Sequence, residues 1–299
     1  MVIWLEMKLL IAAWLFGLSG GCLSAAAESL QFLPAEKPPS VFGANAQKIS
    51  FILYNANQEN FSCPIHARIL QATSATAVSV AAVPWKKIQV LPGQTVLASV
   101  PLDFPAVKAE TRFLVQWLGD DNHVIGVTSV LVYPTNLLQA LQPFLSRTNF
   151  GVLDPDNQLK PLLKAQGISF KDLGEINLDH FSGRLAIIGP FESKTQMPKD
   201  LPNRIRTIAE KNVAVVWIQP PQPAPLSLLA DWEREKIQPS FYEVQKGQTS
   251  VVIVQPEMVS RLQENPRSQI ALVYFCRLAL NPQPNRLPGL CSNDGTNQN

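Results

Sequence analysis

Histidine and cysteine, the side chains that most often hold metals and carry nucleophilic chemistry, are scarce in this chain. Its 299 residues include three histidines, His66, His123 and His180, and four cysteines, Cys22, Cys63, Cys276 and Cys291. Cys63-Pro-Ile-His66 makes one C-x-x-H pair with no second pair at zinc spacing, and His180 has only Asp179 beside it, so no metal site is expected. Neither G-x-G-x-x-G nor a P-loop occurs, and no cofactor is expected. Charge is thin as well. Only 16% of residues are charged and the net charge is +2, with Lys and Arg scattered and no aromatic interleaving, which argues against a nucleic-acid surface or a polybasic membrane patch. Twenty-five prolines outnumber 15 glycines, a balance that suits strand edges and rigid connections rather than low complexity.

Long apolar runs are also few, and the one at the start carries a false signature. Gly17-Leu18-Ser19-Gly20-Gly21 spells G-x-S-x-G, the pattern of a hydrolase nucleophile elbow, yet that elbow needs a strand before the serine and a helix after it. Ser19 is instead preceded by Lys8 and the uncharged run Leu9 to Leu18, and small residues lead from it to Ala25-Ala26-Ala27 and then Glu28. That is the layout of a secretory signal peptide, residues 1–27, so export to the periplasm or the exterior is expected. Three fates stay open. Ala25 and Ala27 suit cleavage before Glu28; Leu18 to Cys22 resembles an imperfect bacterial lipobox that would acylate Cys22 and anchor the chain; Leu9 to Ala27 could remain as an uncleaved anchor.

The remainder has two rhythms. After a linker, 28–46, short runs such as KISFILYN, HARILQAT, KKIQVL, TVLASVPL, RFLVQWLG and VIGVTSVLVYP recur at intervals of roughly ten residues over 47–134, as an immunoglobulin-like β-sandwich requires. From 135 to 283 the pattern changes to alternating helix and strand. NLLQALQPFL reads as a connecting helix, FGVL as a strand, LKPLLKAQGI as a helix stopped by glycine, and LAIIGP as a strand. LPNRIRTIAEKN then reads as a helix, VAVVWI and SVVIV as strands, and SQIALVYFCRLAL as a closing helix. Such alternation predicts an α/β domain with a parallel sheet. Residues 284–299 form a proline-rich and then polar tail.

Within that second half, FSGRLAIIGP, IAEKNVAVVWIQPP, KGQTSVVIVQPEMVSRL and NPRSQIALVYFCRLAL resemble the class I glutamine amidotransferase-like, flavodoxin-like module appended without catalytic function to large bacterial glycoside hydrolases. The preceding sandwich resembles the immunoglobulin-like domains of the same enzymes. The resemblance implies an immunoglobulin-like sandwich followed by a flavodoxin-like parallel α/β sheet, and carbohydrate-related work. An active amidotransferase would carry a G-x-C-x-G elbow after the strand matching VAVVWI. Here Gln219-Pro220-Pro221 stands in its place, and all three histidines precede that strand, so no catalysis is inherited.

Open α/β sheets bind ligands at the carboxyl ends of their strands. Asp154, Asp156, Glu192 and Gln219 are placed there, and the three carboxylates are the candidates for acid-base glycoside chemistry. The plainer reading makes Asp154 and Asp156 turn formers or helix caps around Pro155. Trp85, Trp117 and Trp217 lie in or beside apolar runs and read as core, whereas Trp232 stands among charges in LADWEREKIQP and suggests an exposed contact surface. Cys276 and Cys291 either pair across a loop of about 15 residues, worth on the order of 3 kcal/mol, or stay apart as a buried thiol and a free one. The expected protein is an exported, non-catalytic binding or assembly component of the bacterial cell envelope. Its partners are a glycan or an envelope protein, with a lipid anchor at Cys22 and a homo-oligomer through the apolar last helix as further expectations. The alternative is a saccharide hydrolase using Asp154, Asp156 and Glu192.

Overall fold

A computed structural model describes residues 30–33, 37–73, 76–120, 122–145, 149–174, 178–191, 197–219, 233–238, 241–246 and 249–281. The chain divides into two compact units. The first comprises the described residues up to Pro38 together with Lys48–Leu102 and Arg112–Val130; the second comprises Pro39–Gln47, Asp103–Thr111 and the described residues from Leu131 onward.

The first unit is built from strands. β1 (Leu30–Leu33), β3 (Ala46–Asn55) and β6 (Thr95–Asp103) form a three-stranded sheet in the order β1-β3-β6. A five-stranded sheet has the order β2-β8-β7-β4-β5, drawn from β2 (Ser40–Phe42), β4 (Phe61–Ala72), β5 (Ala77–Val90), β7 (Thr111–Leu118) and β8 (Val124–Tyr133), of which β2 and the β8 residues it pairs with, Leu131 to Tyr133, belong to the second unit. Period-two alternation makes the core: Ile49, Phe51 and Leu53 of β3 are buried, as are Ile65, Ala67 and Ile69 of β4 and Phe113, Val115 and Trp117 of β7. Phe51 and Trp117 join the two sheets, with ring centroids 4.1 Å apart, and the Trp117 indole N–H donates to Thr128 Oγ1 at 2.9 Å, so the buried ring keeps its polar edge satisfied. Fully buried Asn55 ties the loops at one end. Its amide donates to the Glu59 and Val90 carbonyls at 2.8 and 3.0 Å.

The second unit centres on a seven-stranded sheet in the order β10-β9-β11-β12-β15-β14-β13. Its members are β9 (Phe150–Leu153), β10 (Lys171–Asp172), β11 (Leu185–Ile188), β12 (Ala214–Ile218), β13 (Glu233–Gln238), β14 (Phe241–Lys246) and β15 (Thr249–Val254). The first five in that order run parallel, β14 is antiparallel to β15, and β13 is antiparallel to β14. Three α-helices accompany them among the described residues: α1 (Lys160–Ala165), α2 (Leu201–Glu210) and α3 (Pro266–Leu280). LAII of β11 is buried on both sides. Leu185 and Ile187 pack with α1 and α3, and Ala186 and Ile188 pack with α2.

The expected combination of an immunoglobulin-like sandwich and a flavodoxin-like parallel sheet does not hold. The chain is strand-rich, and its second sheet is mixed rather than parallel. The register pairs Lys246 with Thr249 and Phe241 with Val254, so β14 lies antiparallel to β15. Helix is sparse: α1 has six residues, and between β10 and β11 the described residues carry only the 3-10 turn Leu178–His180. NLLQALQPFL also departs from expectation. Residues Leu137–Phe144 form a 3-10 helix with Pro143 inside it, where the missing N–H removes a backbone bond that an α-helix would need. In the N-terminal half the strands split three against five, and β2 lies parallel to β8 with Ser40, Val41 and Phe42 opposite Leu131, Val132 and Tyr133.

Candidate functional site

The sequence candidates at strand ends are committed to structure or stand apart. Asp154, 1% exposed, follows β9 and caps α1: Oδ1 accepts from the Gln158 N–H at 3.2 Å, and Oδ2 from Leu159 and Lys160 at 2.8 and 2.9 Å. Three backbone donors and near-complete burial commit this carboxylate to the start of α1. Asp156 is half-buried in the following turn. Gln219 is buried after β12, its backbone N–H bonded to the Val254 carbonyl at 2.9 Å and its Nε2 without a hydrogen-bond partner among the described residues. β9 and β12 are separated by β11, which puts Asp154 and Gln219 roughly 10 Å apart at strand spacing. Glu192, Trp232, Cys22, Cys291 and the signal segment lie outside the described residues. Cys276 is a free thiol, fully buried in α3, and burial pushes its pKa well up. Among the described residues no three His, Cys, Asp or Glu side chains cluster as a metal site, and no helix is long and apolar enough to cross a membrane.

A cavity of about 350 Å³ lies elsewhere in the second unit. Four short segments meet there: the end of β2 and its turn (Phe42, Asn45), the residues after β8 (Thr135, Asn136, Gln139), the last turn of α1 (Leu162, Ala165, Gln166), and the approach to α3 (Gln263, Gln269). Local chemistry places two of them. Gly167, at φ +71°, stops α1 in a Schellman arrangement, with the Gly167 N–H bonded to the Lys164 carbonyl at 3.0 Å and the Ile168 N–H to that of Leu163 at 2.9 Å. Gln166 is thereby fixed as the residue that closes the helix. At the other side, Asn265 caps α3 by accepting from the Arg267 N–H at 3.1 Å, with Pro266 in the first turn, and this start sets Gln269 one turn into the helix.

The lining amides hold one another and the backbone. Asn136 donates to Gln139 Oε1 at 2.9 Å, Gln139 Nε2 points at the Gln166 carbonyl at 3.5 Å, and Gln166 Nε2 donates to the Thr135 carbonyl at 3.0 Å. Gln269 Nε2 donates to the Leu262 carbonyl at 2.7 Å. Six of the ten lining residues are Asn or Gln and none is titratable. The cavity therefore offers neutral dipoles beside an apolar wall of Phe42, Leu162 and Ala165, and no group that could move a proton near neutral pH.

Sequence reasoning placed none of these residues in a site. They come from four separate stretches, and asparagine and glutamine at irregular spacing form no motif.

No family model and no curated protein matches this chain. Solved structures give slight likenesses. The Pseudomonas fluorescens alkylpurine DNA glycosylase AlkC bound to DNA containing an abasic site analog is 11% identical, with a TM-score of 0.28 over 35% of this chain and 30% of that one. A beta-glucosidase from Listeria innocua in complex with gluconolactone is 13% identical, with a TM-score of 0.26 over 35% of this chain and 16% of that one. The GH3 beta-glucosidase of Bifidobacterium adolescentis is 10% identical, with a TM-score of 0.25 over 34% of this chain and 17% of that one. The chain thus spans less than a third of each of these proteins, and likenesses this slight carry no argument about fold or function.

Proposed function

We propose that this chain is an exported, non-catalytic binding protein of the bacterial cell envelope, whose second unit holds a small uncharged ligand in the amide-lined cavity. Saccharides are the class that suits the lining. Hydroxyls pair with side-chain amides in either direction, and the C–H face of a sugar ring suits an apolar wall. The observation that carries this reading is the composition of the wall: six amides, an apolar side and no acid or base. The volume of about 350 Å³ falls at the lower end of small-molecule sites. Export rests on Lys8 and the apolar run after it. A hydrolytic role for Asp154, Asp156 and Glu192 finds no such support, because the Asp154 carboxylate is occupied by the start of α1.

The test is calorimetric or NMR titration of the chain from Glu28 to Asn299 with a panel of neutral mono- and disaccharides, beside Ala165→Phe. Ala165 is an exposed residue of the cavity wall, so the larger ring fills the space without crowding the core. Binding by at least one sugar, weakened about tenfold or more by the substitution, is the expected result. A panel with no binder, or a binder indifferent to Ala165→Phe, would sink the reading.

A further inference from the structure

The outward face of the three-stranded sheet in the first unit carries an apolar row that the core does not use. Alternation along β3 turns Ile49, Phe51 and Leu53 into the core and leaves Lys48, Ser50, Ile52 and Tyr54 on the opposite face. Along β6 it buries Ala98, Val100 and Leu102 and leaves Leu97, Ser99 and Pro101 outward. β1 pairs with β3 so that Leu33 lies opposite Ile52 and Gln31 opposite Tyr54. On the other side of β3, Ser50 Oγ lies 2.7 Å from Ser99 Oγ, and the Asn55 N–H bonds to the Gln94 carbonyl at 3.1 Å. β3 and β6 thus run antiparallel, in a register that sets Ile52 opposite Leu97. Leu33, Ile52 and Leu97 therefore cross all three strands in one row. Leu97 is 69% exposed and Leu33 39%, and Tyr54 stands half-buried in the next row. Exposed apolar side chains scattered singly need no partner, but a row that spans a sheet marks a contact surface.

The place of this sheet in the chain points to what covers it. β1 begins at Leu30, and the sequence before it holds the uncharged run Leu9 to Leu18 and then Cys22, eight residues ahead of β1. Acylation at Cys22, or retention of Leu9 to Ala27 as an anchor, would fix the chain to a bilayer within about 28 Å of the start of this sheet. Charge agrees with a lipid surface. Among the outward positions of the three strands the charged ones are Lys48 and, at the far end of β6, Asp103, so the row and its neighbours present leucine, isoleucine, tyrosine and lysine before any acid. From this placement, and resting on the export reading above, we propose that Leu33, Ile52, Leu97 and Tyr54 form a membrane-contact face. It is a second attachment beside the N-terminal segment, with side chains entering the interface and no element crossing it. Linking two weak contacts makes the second nearly intramolecular, so a shallow apolar row is enough to hold the sheet against the lipid.

The experiment floats the chain from Glu28 to Asn299, which keeps every described residue and lacks the apolar run, with an excess of phosphatidylethanolamine and phosphatidylglycerol vesicles. Part of the protein should rise with the lipid. Leu97→Glu should weaken that partition about tenfold or more, because a carboxylate replaces an apolar side chain at the interface, and Leu33→Glu should act in the same direction. Val78→Glu, at a residue also mostly exposed but on β5 of the five-stranded sheet, should leave flotation unchanged. Thermal melts check that each variant folds, and Leu33→Glu carries the test if Leu97→Glu does not. A chain that never floats, or that floats equally well with a folded Leu97→Glu or Leu33→Glu, would overturn the proposal. So would a concentration-dependent dimer that Leu97→Glu dissolves, which would give the face to a second copy. Flotation is read without sugar, and export is read by fractionating cells that make the whole chain, so this proposal and the reading beneath it fail separately.

Discussion

Single residues in this protein show how context assigns a role that residue type alone leaves open. Asp154 stands where a catalytic carboxylate could stand, but its oxygens meet three N–H groups at the start of α1 and are used there. Tyr133, at the end of β8, shows a neighbour acting on a proton. Burial pushes its phenol up first, and the hydrogen-bonded Glu110 carboxylate pushes it further, from 10.0 to about 12. The folded chain therefore holds this proton more tightly than the unfolded chain does. Its contribution to stability is complete below about pH 10 and is lost as pH rises through 12. Alkaline titration of phenolate absorbance should show a component ionising near pH 12 that disappears in Tyr133→Phe and moves down toward 10 in Glu110→Gln. A wild-type curve without that component would contradict the assignment.

At the scale of elements, burial on one face or two decides both stability and what a sequence can reveal. β11 has four residues, all buried, and Ile187 sits between Val152 of β9 and Val216 of β12. Ile187→Ala should cost about 2–5 kcal/mol in urea unfolding. β5 is an edge strand in which Val78 is 59% exposed, and Val78→Ala should stay within about 0.5 kcal/mol. Comparable losses at both positions would refute this ranking. Strands with a strong pattern were legible for the same reason: β3 and β7 alternate apolar and polar residues, and β11, β12 and β15 are short continuous apolar runs. The 3-10 segment Leu137–Phe144 has a helical spacing of leucines, and only Pro143 hinted that it would not close as an α-helix. β13, EREKIQ, is charged and lies at the sheet edge, so neither period marks it. The antiparallel pairing of its neighbour β14 with β15 makes the expected parallel sheet a mixed one. The cavity was illegible on other grounds. Its amides gain meaning only when a Schellman stop, a helix cap and a strand end bring them together.

For the molecule as a whole, the second unit is not a single stretch of sequence, and its integrity depends on that. Pro39–Gln47 and Asp103–Thr111 belong to it along with the chain from Leu131. Within it, the Leu131 N–H bonds to the Pro39 carbonyl at 2.9 Å, Gly43 to Tyr133 at 2.9 Å, and Ala44 to Phe104 at 2.8 Å. Phe42 and Asn45 of the first of these segments also line the cavity. A fragment consisting of 131–299 would lose β2, its three hydrogen-bonded ties and part of the binding wall. It should give a poorly dispersed NMR spectrum and bind no sugar that the full chain binds. Gly43→Ala probes the same seam without truncation. A Cβ there would lie 2.5 Å from the Pro105 carbonyl oxygen, a backbone atom that cannot rotate aside, so overpacking should cost about 1–3 kcal/mol. If the fragment folds, binds and melts like the intact chain, the segments at 39–47 and 103–111 are ornaments on a self-sufficient C-terminal fold. If it fails while Gly43→Ala is only weakened, they are structural members that sequence order alone would have assigned to the other unit.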